Sequence, residues 1–217
     1  MTDHDRVVSE LLERYGQTYC DEACIRLADK PAPLYQLLVL STLLSARISG
    51  DIAVAACREL LAAGYKTPAA MTEASWQDRV DALVRGHYRH YDESSATMLG
   101  DAAAQLTSKW HGDLRRLRDE AGGDSEQIGD MLTGFPGIGP TGASIFLREV
   151  QGVWPSVAPY ADARVLAGAR RVGLPAARDK LAAVLADSGC PGRLAAALVR
   201  VSLSHRAAAE VTARVSA

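Results

Sequence analysis

The chain has 217 residues, 48% of them apolar, and a formal net charge of −2. That length allows one large domain or two small ones around a substantial buried core. No apolar run reaches the length of a membrane span, and the first ten residues are polar and charged, which argues against a membrane protein and a secretory signal. We therefore expect a soluble, cytoplasmic protein.

The composition favours helices, since Ala and Leu are abundant, Phe occurs only twice, and no strand pairing or internal repeat is visible. We therefore predict an all-α fold. In chain order, the predicted helices cover approximately residues 5–17, 34–47, 51–63, a short stretch from 68, then 76–84, 93–108, 113–119, 125–132, 140–150, 163–172, 176–187 and 192–215.

Several helix ends have clear local signals. The segment 34–47 is apolar nearly all round, which is typical of a central buried helix. Ser49, Thr67 and Ser75 each precede a predicted helix and have side chains suited to N-caps. Gly64 fits the end of the helix over 51–63.

The four cysteines, Cys20, Cys24, Cys57 and Cys190, lack the paired spacing of a zinc site. Cys20 and Cys24 are four residues apart and would share a helix face. We expect small buried hydrophobic side chains in a reducing compartment, and no bound metal.

Two glycines flank one aliphatic residue in Gly137-Ile138-Gly139, between two predicted helices. Glycines let a backbone adopt positive φ and approach a ligand closely. The amides of such a turn, with the N-terminus of the next helix, can hold a phosphate while Ile138 enters the core. An ordinary connection between two helices also uses Gly and Pro, so the tripeptide alone does not separate these two interpretations.

The wider context of this turn resembles the helix-hairpin-helix DNA glycosylase superfamily that includes endonuclease III. Residues 135–143 (FPGIGPTGA) resemble the hairpin of that superfamily. A Pro-containing linker at 154–160 (WPSVAPY) and then 161–165 (ADARV) resemble the family's linker and the Asp that opens its next helix. Upstream, residues 43–51 (LLSARISGD) resemble the family's Leu-Leu-Ser-Ala-Gln-x-x-Asp segment.

The resemblance implies an endonuclease III-like fold of two helical lobes. The expected central lobe covers residues 34–150 and contains the helix-hairpin-helix at about 124–150. The expected second lobe combines residues 1–33 with residues 151–217. In this family, a damaged base is turned out of the DNA into a pocket between the lobes.

The activity that the resemblance implies is hydrolysis of the bond between a damaged base and its sugar. Asp162 takes the position of the family's catalytic carboxylate, which stabilises positive charge on the sugar as the base leaves. Asp before a helix is also a good N-cap, so a purely structural role is the alternative, and one residue can serve both.

The resemblance assigns DNA contacts to the turn and to two arginines. These residues are Gly137, Ile138, Gly139, Thr141, Arg47 and Arg164. Arg47 replaces the Gln that fills the gap in the DNA, although a solvated arginine at a helix end fits the sequence as well. Arg164 lies one turn beyond Asp162 and can either contact phosphate or orient that carboxylate.

Three departures from the family pattern limit the activity and the cofactors that we expect. Thr141 stands where endonuclease III has the lysine that attacks the sugar, which predicts a monofunctional glycosylase without lyase activity. Only Cys190 lies where four closely spaced cysteines hold an iron–sulfur cluster, so we expect no cluster and no other cofactor. Thr42 stands near the catalytic Glu of adenine glycosylases, which argues against adenine removal opposite oxidised guanine.

An aromatic stretch follows the helix predicted to end near residue 84. His87, Tyr88 and Tyr91 are candidates for the base pocket, because aromatic side chains stack on flipped bases. Ordinary surface aromatics are an equal alternative at this stage.

The charge is unevenly distributed. Residues 163–217 contain nine Lys or Arg and three Asp or Glu, whereas residues 1–162 contain fifteen and twenty-three. Such a basic segment can neutralise phosphates, although solvated helix faces explain it too. We expect a monomer associated with the nucleoid and acting on double-stranded DNA with a damaged or mismatched base. The alternatives are a catalytically inactive helix-hairpin-helix DNA-binding protein and a helical protein-interaction domain.

Overall fold

A computed structural model describes residues 2–215, and all the regular structure in that range is helical. This confirms the predicted all-α class. Fourteen helices are present among the described residues: α1 Asp3–Tyr15, α2 Tyr19–Glu22, α3 Pro31–Leu44, α4 Gly50–Ala62, α5 Pro68–Glu73, α6 Trp76–Arg85, α7 Asp92–Trp110, α8 Leu114–Glu120, α9 Ser125–Thr133, α10 Pro140–Val150, α11 Ala163–Arg171, α12 Arg178–Asp187, α13 Pro191–Leu203 and α14 His205–Val215. In that range, no helix combines the length and hydrophobicity needed to cross a bilayer.

The predicted N-caps are confirmed by their hydrogen bonds. Ser49 accepts from the backbone N–H of Ile52, and Thr67 accepts from that of Ala70. Ser75 forms a reciprocal capping box with Asp78 at the start of α6. These short polar side chains satisfy amides that would otherwise have no acceptor, which fixes where each helix begins.

The structure corrects two expectations. The predicted helix over 192–215 is two helices, because Ser204 has an extended backbone (φ −128°, ψ 112°) and its hydroxyl accepts from the N–H of Ala207 to begin α14. Cys20 and Cys24 do not share a helix face. Cys20 is buried in α2, whereas Cys24 lies beyond that helix with φ 59° and is exposed.

The described chain divides into two compact units. The first comprises the residues up to Tyr19 and those from Arg148 onward, and the second comprises Cys20–Leu147. The boundaries 34–150 and 1–33 with 151–217, expected from the sequence, remain a prediction.

The first unit is organised around α13, which packs against α1, α11 and α14. Its buried core is formed from aliphatic side chains of these helices, including Leu11, Val165 and Leu198. Gly168 allows the closest approach, since a Cβ atom there would lie 2.0 Å from the backbone oxygen of Leu198. This contact holds α11, and with it the N-cap residue Asp162, in a defined position.

The second unit is organised around α3. Nine residues of this helix are buried, including five leucines, in agreement with its apolar sequence. Its neighbours are α4, α7 and α8. Thr42 lies near the C-terminal end of α3, and Ser45 and Arg47 follow that end. All three line the site described below.

A buried arginine connects three helices of the second unit. Arg79 in α6 is 9% exposed, and its guanidinium donates to three backbone oxygens at 2.9 Å: those of Met71, Ala74 and Ala96. The first two belong to the C-terminal end of α5, and the third belongs to the beginning of α7. Arg79 therefore fixes the first turns of α7, which line the candidate site.

We predict that Arg79→Met lowers the free energy of unfolding by about 3 kcal/mol, because three buried carbonyls lose their donor. Arg85→Met is the matched control on the same helix, since the Arg85 side chain is 52% exposed and forms a surface ion pair with Glu59. That control should change stability by less than about 1 kcal/mol. Urea unfolding of the three proteins makes the comparison, and equal losses would contradict the role given to Arg79.

Candidate nucleic-acid interface and carboxylate site

The predicted hairpin consists of α9, a turn at residues 134–139, and α10. Gly137 has φ +82°, a left-handed conformation that favours glycine. Ile138 is 4% exposed and its backbone N–H donates to the oxygen of Phe135 at 3.1 Å. The burial of Ile138 confirms the expectation that its side chain enters the core.

The turn is anchored to α7. The amide of Gln105 donates to the backbone oxygen of Gly134 at 3.0 Å. The rings of Phe135 and Trp110 lie 5.5 Å apart between centroids. These contacts hold the turn from its N-terminal side.

The glycines of this region serve different purposes. A Cβ atom at Gly137 would lie 2.8 Å from Thr42 Cγ2, and one at Gly142 would lie 2.1 Å from Ser45 Oγ. Both glycines are therefore required for the turn and α10 to approach α3. At Gly139, in contrast, a Cβ atom would meet no heavy atom within 4 Å beyond the chain neighbours. Packing inside the protein does not explain a glycine at this position.

The N-terminus of α10 leaves amides available. Ala143 donates to the oxygen of Gly139 at 3.0 Å, and Pro140 has no N–H. Among the described residues, the N–H groups of Gly139, Thr141 and Gly142 have no hydrogen-bond acceptor. Thr141 is exposed and Gly139 is partly exposed, whereas Gly142 is buried. Amides at a helix N-terminus attract anions, so this arrangement is suited to a phosphate oxygen.

A cavity of about 400 Å³ lies within the second unit, beside the turn. The C-terminal end of α3, the loop before α7, the first turns of α7 and Gly137 surround it. Its lining residues are Thr42, Ser45, Ala46, Arg47, Tyr88, Tyr91, Ser94, Ser95, Met98 and Gly137. The cavity thus brings together four residues that sequence analysis selected separately: Arg47, Tyr88, Tyr91 and Gly137.

The three aromatic candidates occupy different environments. Tyr88 is fully buried, and burial raises the pKa of its hydroxyl. Tyr91 is partly exposed and packs edge-on against the ring of His90, with centroids 4.5 Å apart. His87 is exposed with φ 63° and does not line the cavity. Tyr91 is therefore the aromatic group best placed to face a ligand in this cavity.

Asp162 lies in the first unit, where it is the N-cap of α11. Its Oδ1 accepts from the N–H groups of Arg164 and Val165, both at 3.0 Å. Its Oδ2 accepts from the guanidinium of Arg148, and the two side chains are 13% and 8% exposed, respectively. The carboxylate is therefore fixed in place, and its charge is directly opposed by a buried cation.

Gln151 fixes the segment that leads to Asp162. Its side-chain oxygen accepts from the N–H of Tyr160 at 2.8 Å, and its amide nitrogen donates to the oxygen of the same residue at 3.3 Å. Sequence analysis missed both Gln151 and Arg148. The available signal was their place in an apolar helix end, because Arg148 follows the apolar run 145–147 and Gln151 follows Val150, and a polar side chain buried there needs a partner.

Arg164 does not orient the carboxylate through its guanidinium. Only its backbone N–H contacts Asp162, and its side chain is exposed. The side chain that orients the carboxylate is therefore that of Arg148. For Arg164, the sequence had left this role open as one of two possibilities.

The basic residues of the C-terminal segment form two groups. Some have partners within the protein, and others form no ion pair among the described residues. Arg193 and Arg200 donate to the backbone oxygens of Gly16 and Gln17, and Arg206 pairs with Glu210. Within residues 2–215, no ion pair involves four exposed basic side chains of α11 and α12. These are Arg164, Arg170, Arg178 and Lys180.

Comparison with known proteins finds a likeness in structure but none in sequence. No protein-family model matches the sequence, and no curated protein matches it. A solved structure described as a trapped endonuclease III–DNA covalent intermediate, an estranged-adenine complex, is similar with a TM-score of 0.49 and 16% identity, over 90% of this chain and 85% of that one. At that level, the likeness alone establishes neither a family nor an activity.

We predict that alanine is destabilising at one glycine of the turn and nearly neutral at the other. Gly137→Ala should lower the free energy of unfolding by about 2 kcal/mol, because it combines positive φ with a close contact. Gly139→Ala should change it by less than about 0.5 kcal/mol, because the added methyl group meets open space. Urea unfolding tests both, and a large loss in Gly139→Ala would show that this glycine is needed for folding.

We also predict that Asp162→Asn lowers the free energy of unfolding by about 3 kcal/mol, because Asn preserves the cap but leaves Arg148 buried without an anion. Asp124→Asn is the matched control, since Asp124 caps α9 through two similar backbone hydrogen bonds without an arginine. Its loss should stay below about 1 kcal/mol. Adding Arg148→Met to Asp162→Asn should recover part of the larger loss. Equal losses at the two caps would remove the ion pair as a source of stability.

Proposed function

We propose that this protein is a DNA N-glycosylase of base excision repair that hydrolyses the bond between a damaged base and its deoxyribose. The observation that carries the proposal is the turn at Gly139, where a glycine that internal packing does not require lies beside amides without acceptors. A cavity of base-binding size adjoins the same turn at Gly137.

In the proposed complex, the amides of Gly139 and Thr141 donate to one backbone phosphate. Such contacts recognise the DNA backbone without reading its sequence, as a repair enzyme that searches DNA requires. The exposed cations of α11 and α12 add attraction that falls as salt rises.

In the proposed reaction, the bond between C1′ and the base nitrogen breaks, and its electron pair leaves with the base. The carboxylate of Asp162 stabilises the positive charge that develops on C1′ and the ring oxygen. Water adds to C1′, one of its protons passes to the carboxylate or to solvent, and the departing base is protonated. The products are a free base and an abasic site.

We propose that the enzyme does not cleave the abasic strand. A lyase of this kind needs an amine that forms an imine with C1′, and the hydroxyl of Thr141 cannot do so. The lysines closest in sequence to Thr141 are Lys109 and Lys180, which are 32 and 39 residues away.

One observation favours a second candidate function, a DNA-binding protein without glycosylase activity. Both carboxylate oxygens of Asp162 already accept hydrogen bonds from the protein, and Arg148 opposes its charge. A carboxylate in this state has a structural role whether or not it also acts on a sugar.

The deciding experiment incubates the protein with duplexes that each carry one alkylated, oxidised, deaminated or mismatched base, followed by chemical cleavage of abasic sites. We expect release of at least one base by the wild type, and loss of release in Asp162→Asn with DNA binding retained. Folding of that variant is checked by circular dichroism, and Asp124→Asn serves as the control that keeps activity. DNA binding without release from any duplex supports the second candidate.

A separate prediction concerns the turn. Gly139→Ala should weaken duplex binding about fivefold at constant stability, because the added methyl group obstructs a phosphate hydrogen bond worth about 1 kcal/mol. Fluorescence anisotropy at two salt concentrations measures this effect. Unchanged affinity in the variant, or binding that does not respond to salt, would contradict the proposed phosphate contact.

A third test is borohydride trapping during incubation with a substrate. We expect no covalent protein–DNA adduct, since no amine is proposed to attack C1′. A robust adduct would show that an unrecognised amine acts as nucleophile.

A further inference from the structure

Met98 in α7 lies where the cavity meets the hairpin turn. It lines the cavity and, at 37% exposure, is one of three large apolar side chains that are exposed among the described residues. Its sulfur also packs against the turn, since a Cβ atom at Gly137 would lie 3.0 Å from Met98 Sδ. The turn therefore covers one side of this side chain, and the cavity gives access to the rest.

The other methionines of the described chain are less accessible. Met71 in α5 is fully buried, and Met131 in α9 is partly buried. Oxidation of a side-chain sulfur depends on the access of the oxidant to it. Met98 is therefore the methionine of these three that a small oxidant reaches most easily.

The position of Met98 is fixed by the helix that carries it. Ser94, Ser95 and Met98 all line the cavity, and their spacing places them on one face of α7. The same helix is held to the turn by the hydrogen bond from Gln105 to Gly134. An atom added to the sulfur finds no space on the side of the turn, so it must occupy the cavity.

We propose that Met98 is a site of reversible oxidation by hydroperoxides, and that the sulfoxide oxygen obstructs the cavity. A lone pair of the sulfur attacks one oxygen of hydrogen peroxide, the O–O bond breaks and an S–O bond forms. The sulfur loses two electrons, the transferred oxygen gives its proton to the departing hydroxide, and water is released. The effect on base binding rests on the proposed glycosylase function, whereas the site of oxidation does not.

A sulfoxide changes both the shape and the polarity of this wall. Its oxygen fills space that a flipped base would occupy, and its S–O dipole replaces a polarizable surface suited to a planar ring. The amides proposed to hold phosphate lie elsewhere, because no atom of Met98 is within 4 Å of a Cβ atom built at Gly139. We therefore expect oxidation to slow base release and to leave the binding of undamaged duplex nearly unchanged.

The first test locates the modification. The protein is treated with hydrogen peroxide and then with dithiothreitol, which reverses disulfide and sulfenic acid formation at thiols such as the exposed Cys24 and leaves methionine sulfoxide in place. Peptide mass spectrometry measures the rate of oxygen addition at each methionine. We expect Met98 to be oxidised at least about threefold faster than Met131 and at least about tenfold faster than Met71.

The second test measures single-turnover base release before and after oxidation, as a ratio within each protein. Oxidation should slow release by the wild type at least about fivefold, because one added atom alters a pocket wall. Methionine sulfoxide reductases A and B should restore the rate, with two thiols oxidised to a disulfide and the oxygen released as water. Met98→Leu should lose this sensitivity, and Met131→Leu, the matched control, should keep it.

The outcomes distinguish this inference from the proposed function. Oxidation of Met131 or Met71 as fast as Met98, release that is unaffected by oxidation, or equal sensitivity in Met98→Leu overturns the inference while the glycosylase function stands. A parallel loss of binding to undamaged duplex overturns the obstruction of the cavity. No release from any duplex by the untreated protein overturns the proposed function, and the oxidation rates then decide by themselves whether Met98 is the modified site.

Discussion

The close approach of the hairpin to the C-terminal end of α3 is the constraint on which the second unit's site depends. Gly137 and Gly142 lie so near Thr42 and Ser45 that neither position can hold a Cβ atom without displacement of its neighbours. Because interiors are close-packed, this contact has little freedom to adjust. It positions the free amides at the start of α10, and it closes one side of the cavity. A single packing contact therefore positions both the N-terminal end of α10 and one wall of the cavity.

Asp162, in the first unit, also has several structural roles at once. The same carboxylate ends the linker, begins α11 and neutralises Arg148. An electrostatic role in catalysis requires a carboxylate that is fixed in position before the reaction, and these contacts fix it. They also reduce the net negative charge that a developing cation would experience. Fixation of the carboxylate favours the proposed enzyme, whereas neutralisation of its charge favours a DNA-binding protein of the same structure.

The helices and their caps could be predicted because their signals are local. Ser49, Thr67 and Ser75 act within four residues of their own positions, and the leucines of α3 repeat along a single segment. The same holds for the turn at Gly137, whose positive φ is a property of its own backbone. Arg148 and Arg79 could not be predicted in this way. The partner of Arg148 lies 14 residues away and those of Arg79 lie 5, 8 and 17 residues away, and only the folded chain shows that both arginine side chains are buried.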